Sequence, residues 1–283
     1  MFISGSKFIL LLLSGVSGAG FLCRAQDTLD LFRARPGSLV CWTETRTEPR
    51  PLKLRFIRAD MACTGFRPAV FTGDDPDGDG PAESSLTPPE DLFERYGAIA
   101  AVNANAFAGL PGTENDIRGW YRNRPVDMHG LVVSDGRIIS PPEQGRTAFW
   151  VDEKGRPRLG DPEAGSKPVA AVADWSGQLL IDERIMADST VTTLHPRTAV
   201  GFDDTGRWLL ILVADGRQPG FSEGMSLYEM ALLFRSKGCT QAVNLDGGGS
   251  SIMLIRGNDG KVKTVNSPSG VAHRPVPVMF GFR

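Results

Sequence analysis

Residues 195–221 read HPRTAVGFDDTGRWLLILVADGRQPGF, and residues 222–254 continue SEGMSLYEMALLFRSKGCTQAVNLDGGGSSIML. Two apolar, strand-like runs lie within them, residues 208–214 and 241–245, and each ends on an aspartate followed by glycine: Asp215-Gly216-Arg217 and Asp246-Gly247-Gly248-Gly249. Between the runs, Ser226 and Glu229 have capping-box spacing, serine at the N-cap and glutamate three positions on. Leu227, Met230, Ala231 and Phe234 then recur at i, i+3, i+4 and i+7, one apolar helix face. Gly238 follows as the stop.

Strand, helix and strand in this order predict a β-α-β unit with two parallel strands, neighbours in the simplest pairing. Their C-terminal ends then share one edge of the sheet, and Asp215 and Asp246 face the crevice where open sheets hold ligands. Neighbouring strands lie about 4.8 Å apart, so the two carboxylates are expected to share one small substrate. Gly247, Gly248 and Gly249 offer backbone N–H groups for an anion, with Arg197, Arg217 and Arg274 as candidate cations.

Outward from this core the chain alternates short strands and turns. Residues 27–37 read as a poorly ordered lead-in. Residues 38–43 and 52–58 form a predicted hairpin across Pro49 and Pro51. Residues 74–83, DDPDGDGPAE, resemble a calcium loop in Asp75, Asp77, Asp79 and Gly80, but the twelfth position is Leu86 where a bidentate glutamate is needed; a solvated loop is the better reading. A short helix is expected over residues 88–96. A buried-type strand over residues 98–102 then runs into Asn103-Ala104-Asn105, whose asparagines are turn formers or ligand donors. Residues 108–129 have no clear period and read as a long substrate loop, in which Trp120 and Tyr121 could stack on a bound ring. Hairpins are expected across Ser134-Asp135-Gly136, residues 203–206 and residues 257–260. Many short strands with one strong helix predict an α+β fold, a single domain on a large mixed sheet with few helices.

Composition narrows the function. The chain has 283 residues, with 31 Lys and Arg against 33 Asp and Glu, so it carries no basic footprint for nucleic acid. Lys7 followed by an apolar run over residues 8–16, then small residues and Ala25, reads as a cleaved secretory signal over residues 1–25, with an uncleaved anchor as the lesser reading. No later segment is apolar enough to span a membrane. Residues 26–49 are then a lead-in with the first strand, residues 50–283 the functional domain, and the destination the periplasm or the exterior. Export permits a disulfide, for which Cys41 and Cys63 are the candidate pair; Cys239 reads as a buried apolar residue.

The blocks His195-Pro-Arg-Thr-Ala-Val-Gly201, Asp215-Gly-Arg217, Asn244-Leu-Asp-Gly-Gly-Gly-Ser-Ser251, Ala101-Val-Asn-Ala-Asn-Ala-Phe107, Ser267-Pro-Ser-Gly270 and Arg274-Pro-Val276 resemble the phosphodiester glycosidase family. The resemblance covers roughly residues 50–283. It implies cleavage of a sugar-1-phosphate diester to free sugar and a phosphomonoester, and bacterial members are often exported.

That chemistry builds positive charge on the sugar while a phosphate departs, so it needs a carboxylate at the anomeric centre and cations at the phosphate. Asp246 is the expected base or nucleophile. Asp215 is the second carboxylate, binding sugar hydroxyls or acting as acid. Each Asp-Gly is also an ordinary turn signal. His195 before Pro196 is either a general acid or a turn residue. Gly247, Gly248, Gly249, Ser250, Ser251, Arg197, Arg217 and Arg274 are assigned to the phosphate. Asn103, Asn105 and Asn244 are assigned to the sugar or to orienting carboxylates, and Thr198 is either a hydrogen-bond partner of the ligand or an ordinary strand residue. Glu229 is read as a cap, not an acid. No cofactor is required by the sequence; Ca²⁺ or Mg²⁺ could be held by the Asn and Asp oxygens, without a complete ligand set. The rival readings are a noncatalytic binding protein for an envelope or extracellular polysaccharide, and a metal-dependent phosphodiesterase that cuts P–O.

Overall fold

The computed structural model describes residues 24–110, 119–270 and 272–283. The signal-peptide reading falls almost wholly on residues outside these, as do residues 111–118 of the predicted substrate loop. The fold is mostly β, with two α-helices among the described residues, Pro89–Arg95 and Leu227–Ser236. Its largest sheet has eight strands in the order Arg24–Asp30, Leu39–Arg46, Leu52–Asp60, Trp208–Ala214, Arg197–Phe202, Gln241–Asn244, Gln178–Ile181, Arg184–Ile185. A five-stranded sheet runs Val262–Thr264, Met253–Arg256, Ala100–Asn103, Val278–Phe282, Pro68–Thr72. A second five-stranded sheet, which includes Ala148–Asp152 and Pro168–Ala173, and a three-stranded one are the other sheets among the described residues.

Strand alternation builds the layers. Leu209, Ile211 and Val213 point into a core shared with Val102, Phe149, Val172, Met253 and Phe280 from the two five-stranded sheets. Leu210, Leu212 and Ala214, on the other face of the same strand, pack with Met230, Ala231, Leu233 and Phe234 of the long helix. The short helix covers the far side of the first five-stranded sheet through Leu92 and Phe93 against Phe71, Ala101 and Leu254. The layer order is therefore helix, sheet, sheet, helix. The long helix begins as predicted: Ser226 accepts from the Glu229 N–H, and the Glu229 carboxylate accepts from the Ser226 N–H. Arg50 adds an ion pair to Glu229, which fixes this residue as a cap.

Several expectations are corrected. Every strand pair described is antiparallel, so the large sheet is not mixed. Trp208–Ala214 and Gln241–Asn244 do run the same way, but they are not neighbours. Arg197–Phe202 lies between them and pairs antiparallel with both, Ala199 facing Leu212 on one side and Asn244 on the other. The Asp215 and Asp246 strand ends therefore stand two strand spacings apart, about 10 Å, on one edge. Residues 27–37 are not simply a lead-in, because Arg24–Asp30 is a strand paired with Leu39–Arg46. Cys41 and Cys63 are free, buried thiols, as is Cys239. Burial pushes Cys41 and Cys239 up to about 12. In the acidic loop, Asp75 accepts from the N–H groups of Asp77 and Gly78, and Asp77 from that of Ala82. Among the described residues no group of three or more His, Cys, Asp or Glu is placed to hold a metal ion, and no helix is long and apolar enough to cross a membrane.

Candidate active site

The site is hung from the segment that leaves the middle strand of the first five-stranded sheet, Asn103-Ala104-Asn105-Ala106. Its asparagines and alanines alternate in role. The Asn103 amide donates to the Asp246 carbonyl at 2.6 Å, and the Ala104 carbonyl accepts from the Asp246 N–H at 2.8 Å. Two residues on, the Asn105 amide donates to the His129 carbonyl at 2.9 Å, and the Ala106 carbonyl accepts from the His129 N–H at 2.9 Å. Both asparagines are buried. The Asn103 oxygen accepts from the Thr198 hydroxyl and the Ile252 N–H; the Asn105 oxygen accepts from the Ala173 N–H. Asn103 and Asn105, assigned from sequence to the sugar or to orienting carboxylates, and Thr198, assigned to a ligand, thus hold the backbone of the site, Asn103 that of Asp246 itself.

Asp246 keeps part of its surface open to solvent while protein closes around its carboxyl. Burial raises the carboxyl to about 6, against the lowering effects of the Ser250 hydroxyl, the Arg274 charge, the Gly247 N–H and the His129 charge. Of the N–H cradle expected from the glycine loop beside it, the Gly247, Gly248, Ser250 and Ser251 N–H groups are spent within the protein. The Gly247 N–H donates to Asp246 itself, the Gly248 N–H to the Pro196 carbonyl, and the N–H groups of Ser250 and Ser251 back into the loop. What the glycines supply is room. Gly248 has φ +60°, and a Cβ there would come within 3.2 Å of the Arg217 guanidinium; a Cβ on Gly249 would lie 2.4 Å from that of Arg274. Two guanidinium groups thus lie against bare backbone next to Asp246. Arg274 also reaches the Ser250 hydroxyl at 3.4 Å.

Arg217, at φ 59°, occupies a left-handed conformation that costs a non-glycine residue about 1 kcal/mol, and its guanidinium donates to Nδ1 of His195 at 3.2 Å. Arginine is donor-only, so Nδ1 of His195 is the acceptor and its proton sits on Nε2. Burial, then the charges of Arg197 and Arg217, lower His195 below the ordinary histidine range. His195 therefore orients Arg217 as a neutral ring. Arg197 is buried and donates to the Met225 carbonyl; burial and then Arg217 depress its pKa. Arg274 is depressed by burial and by Arg217, with Asp246 acting the other way. Among the described residues none of these three arginines stands in an ion pair; Arg217 acts on both of the others, and the Arg274 charge acts on the Asp246 carboxyl.

Asp215 takes no place in that cluster. It is fully buried, and its Oδ1 accepts from the Asn266 amide at 3.0 Å and the Ser267 N–H at 2.8 Å. Burial raises its pKa against those two hydrogen bonds and the charges of Arg55 and Lys53. It fastens the Ser267-Pro-Ser-Gly270 block to the sheet edge. Asn266 also donates to the Ser251 carbonyl; Ser251, though buried beside the loop, serves the same frame. Asn244 is buried, and its amide donates to the Trp175 carbonyl.

The sequence reading missed the other wall. Nδ1 of His129 lies 3.2 Å from the Glu143 carboxylate, and its ring stacks on Trp175 with centroids 5.3 Å apart at 29°. Arg146 caps Trp175 at 4.1 Å. His129 lies in the stretch read as a periodless loop, and Trp175 in one without pattern; the only local signal was a histidine directly before Gly130 and an apolar strand. Trp120, a candidate sugar platform, meets the Phe107 ring edge-on at 4.8 Å and lies under Arg124.

The family profile described as phosphodiester glycosidase matches residues 96–283, a span that contains Asn103, His129, Asp246 and all three arginines. Mouse N-acetylglucosamine-1-phosphodiester alpha-N-acetylglucosaminidase is 31% identical over 162 residues, 49% of this chain and 31% of that protein. The SPbeta prophage-derived uncharacterized protein YomE of Bacillus subtilis (strain 168) is 42% identical over 185 residues, 65% of this chain and 23% of that protein. The chain thus spans a third or less of the length of these relatives. The zebrafish N-acetylglucosamine-1-phosphodiester alpha-N-acetylglucosaminidase catalytic domain, auto-inhibited by its pro-peptide, shares the fold with a TM-score of 0.62 at 18% identity, covering 92% of this chain and 87% of that one. A hypothetical protein from Synechocystis gives 0.61 at 14% identity, covering 87% of this chain and 62% of that one. With a profile match over most of its length and each of the site's blocks inside it, the chain belongs to the phosphodiester glycosidase family.

Proposed function

We propose that this protein is an exported hydrolase that cleaves the glycosidic bond of a sugar-1-phosphodiester in an envelope or extracellular glycan. The observation that carries the reading is the placement of the Arg217 and Arg274 guanidiniums on Gly248 and Gly249, in the loop that leaves Asp246, with the Arg274 charge acting on the Asp246 carboxyl. A glycosyl phosphate presents a dispersed negative charge next to an anomeric carbon. Paired guanidiniums match the first, and a carboxylate matches the positive charge that develops on the second.

Phosphate is already a good leaving group, so the departing oxygen needs neutralisation rather than a proton; Arg217, held by His195, and Arg274 supply it. Asp246, with a carboxyl near 6, is ionised in most molecules at neutral pH and acts as nucleophile or base. Loss of the second carboxylate from the cleft does not weaken this assignment, because a phosphate leaving group dispenses with the acid. The export reading rests on the sequence of residues 1–25.

The test is turnover of UDP-N-acetylglucosamine and of a simple α-N-acetylglucosamine-1-phosphodiester in ¹⁸O-labelled water, with Asp246→Asn in parallel. Label on the sugar, lost in the variant, is the expected result. Label on phosphate assigns the protein to P–O cleavage instead. Binding without turnover, unchanged in Asp246→Asn, makes it a noncatalytic glycan binder.

A further inference from the structure

The two histidines of the site have opposite proton arrangements, and the difference assigns a role. His195 receives a hydrogen bond on Nδ1 from an arginine, so its Nε2 carries the proton and has no lone pair to offer. His129 faces a carboxylate with Nδ1. A carboxylate accepts, so Nδ1–H donates to Glu143, and Nε2 of the neutral ring is left as an acceptor. The same arrangement, a carboxylate fixing the tautomer of a histidine, prepares an imidazole to take a proton in known hydrolases.

The remaining contacts of His129 restrict its motion. Its backbone is held at both N–H and C=O by Ala106 and Asn105, and its ring lies on Trp175, which Arg146 also contacts at 4.1 Å. Trp175 is in turn tied to Asn244 through its carbonyl and its N–H, two residues before Asp246. The Ala104 and Ala106 carbonyls that hold Asp246 and His129 are two residues apart, at most about 7 Å along the chain. One segment therefore sets the spacing between the carboxyl and the imidazole. The electrostatic influence of His129 on Asp246 agrees with this proximity.

We infer that His129 is the general base of a second, hydrolytic step, with Glu143 as the group that fixes its tautomer and Asp246 as the nucleophile of the first. This rests on the glycosidase reading and deepens it. In the first step an Asp246 oxygen attacks the anomeric carbon, the C–O bond to phosphate breaks, and the electron pair leaves with the phosphomonoester. In the second, water attacks the anomeric carbon of the glycosyl ester while its proton passes to Nε2 of His129, and the bond to Asp246 breaks to regenerate the carboxylate. The proton then leaves His129 to solvent. Two displacements give net retention at the anomeric carbon.

The test uses the full chain and methyl α-N-acetylglucosamine-1-phosphodiester. In wild-type protein, ¹H NMR should show the α-anomer of the sugar as first product. His129→Gln should lower steady-state turnover by about 10²- to 10⁴-fold yet still release one equivalent of methyl phosphate in a burst, with a glycosyl adduct on Asp246 seen by intact mass. Azide, a nucleophile that needs no base, should restore turnover and yield the glycosyl azide. Glu143→Gln should show the same pattern in milder form. A β-anomer as first product, with turnover still dependent on Asp246, overturns this inference and leaves the glycosidase reading standing. So does a His129→Gln variant without burst, adduct or azide rescue, checked for a native circular-dichroism spectrum. A wild-type protein that turns over none of these diesters overturns both.

Discussion

Asn103 grips Asp246 by its backbone and leaves its carboxylate alone: the amide donates to the main-chain carbonyl at 2.6 Å, while its oxygen takes the Thr198 hydroxyl and the Ile252 N–H. Asn103→Ala would strand those donors and that carbonyl in a buried place, at about 1–3 kcal/mol for each group left unsatisfied. The expected outcome is a protein less stable by a few kcal/mol in urea, with kcat reduced more than KM is raised. A selective rise in KM, with stability intact, would show that Asn103 contacts the sugar directly.

Asp246 trades stability for charge. Its carboxyl stands near 6 in the folded protein and near 3.9 in an unfolded chain. The folded state thus binds more protons between these values, and stability falls as pH rises through that window. The ionised carboxylate costs on the order of 3 kcal/mol at neutral pH. Asp246→Asn should therefore melt higher than wild type at pH 7, with the difference shrinking toward pH 4, while losing turnover. Wild-type kcat should climb as pH rises through about 6. An equal melting temperature for variant and wild type at pH 7 would refute the cost assigned to this charge.

Gly249→Ala places a methyl group 2.4 Å from Arg274, and Gly248→Ala one at 3.2 Å from Arg217 in a left-handed backbone. Both should raise KM for a phosphodiester by roughly tenfold or more, the equivalent of about 1.4 kcal/mol. Inorganic phosphate, as a competitive inhibitor, should weaken in parallel. Inhibition unchanged in both variants would remove the arginines from the phosphate site.

His195 is held to orient Arg217 through Nδ1, so a side chain with an acceptor at that position should substitute for it. His195→Asn is expected to retain activity within about tenfold and His195→Phe to lose about 10²-fold, the scale of a general acid–base or positioning defect. Equal losses in both, accompanied by the disappearance of a basic limb from the pH profile, would make His195 the acid instead.

Asp215→Asn keeps an oxygen for Asn266 and Ser267, and should stay active within a few-fold, unlike Asp246→Asn. Asp215→Ala leaves both donors buried without their acceptor and should cost about 2–5 kcal/mol in denaturant unfolding. Loss of kcat in Asp215→Asn, at unchanged stability and KM, would return this residue to the chemistry.

The helix Leu227–Ser236 was legible because its start is written locally, in Ser226 and Glu229. Asp246 and its arginines were legible because an unusual string surrounds them. The position of Trp208–Ala214 was not. Both of its faces are buried, Leu209, Ile211 and Val213 in one core and Leu210, Leu212 and Ala214 in the other. A continuous apolar run of that kind reads like a strand of a parallel sheet, yet it arises here from an antiparallel sheet covered on both sides. Residue pattern reports burial, and burial does not name a neighbour. Asn103 and Asn105 carry the right chemistry for a sugar, but the same amide suits a carbonyl of the main chain, and only the fold chooses. His129 had no motif, since its partners Glu143 and Trp175 approach it through tertiary structure.

The suspension of the site from Asn103 and Asn105 also bears on how this chain folds. The tether to Asp246 closes a gap of 143 residues, that to His129 one of 24. Closing the longer one carries the greater entropic cost and comes only after the intervening sheets exist to hold its ends. Catalytic competence should then be the last property to return on refolding, later than the fluorescence of Trp42, which packs against the core under the long helix, and no proteolytic fragment that lacks either end of that span should recover it.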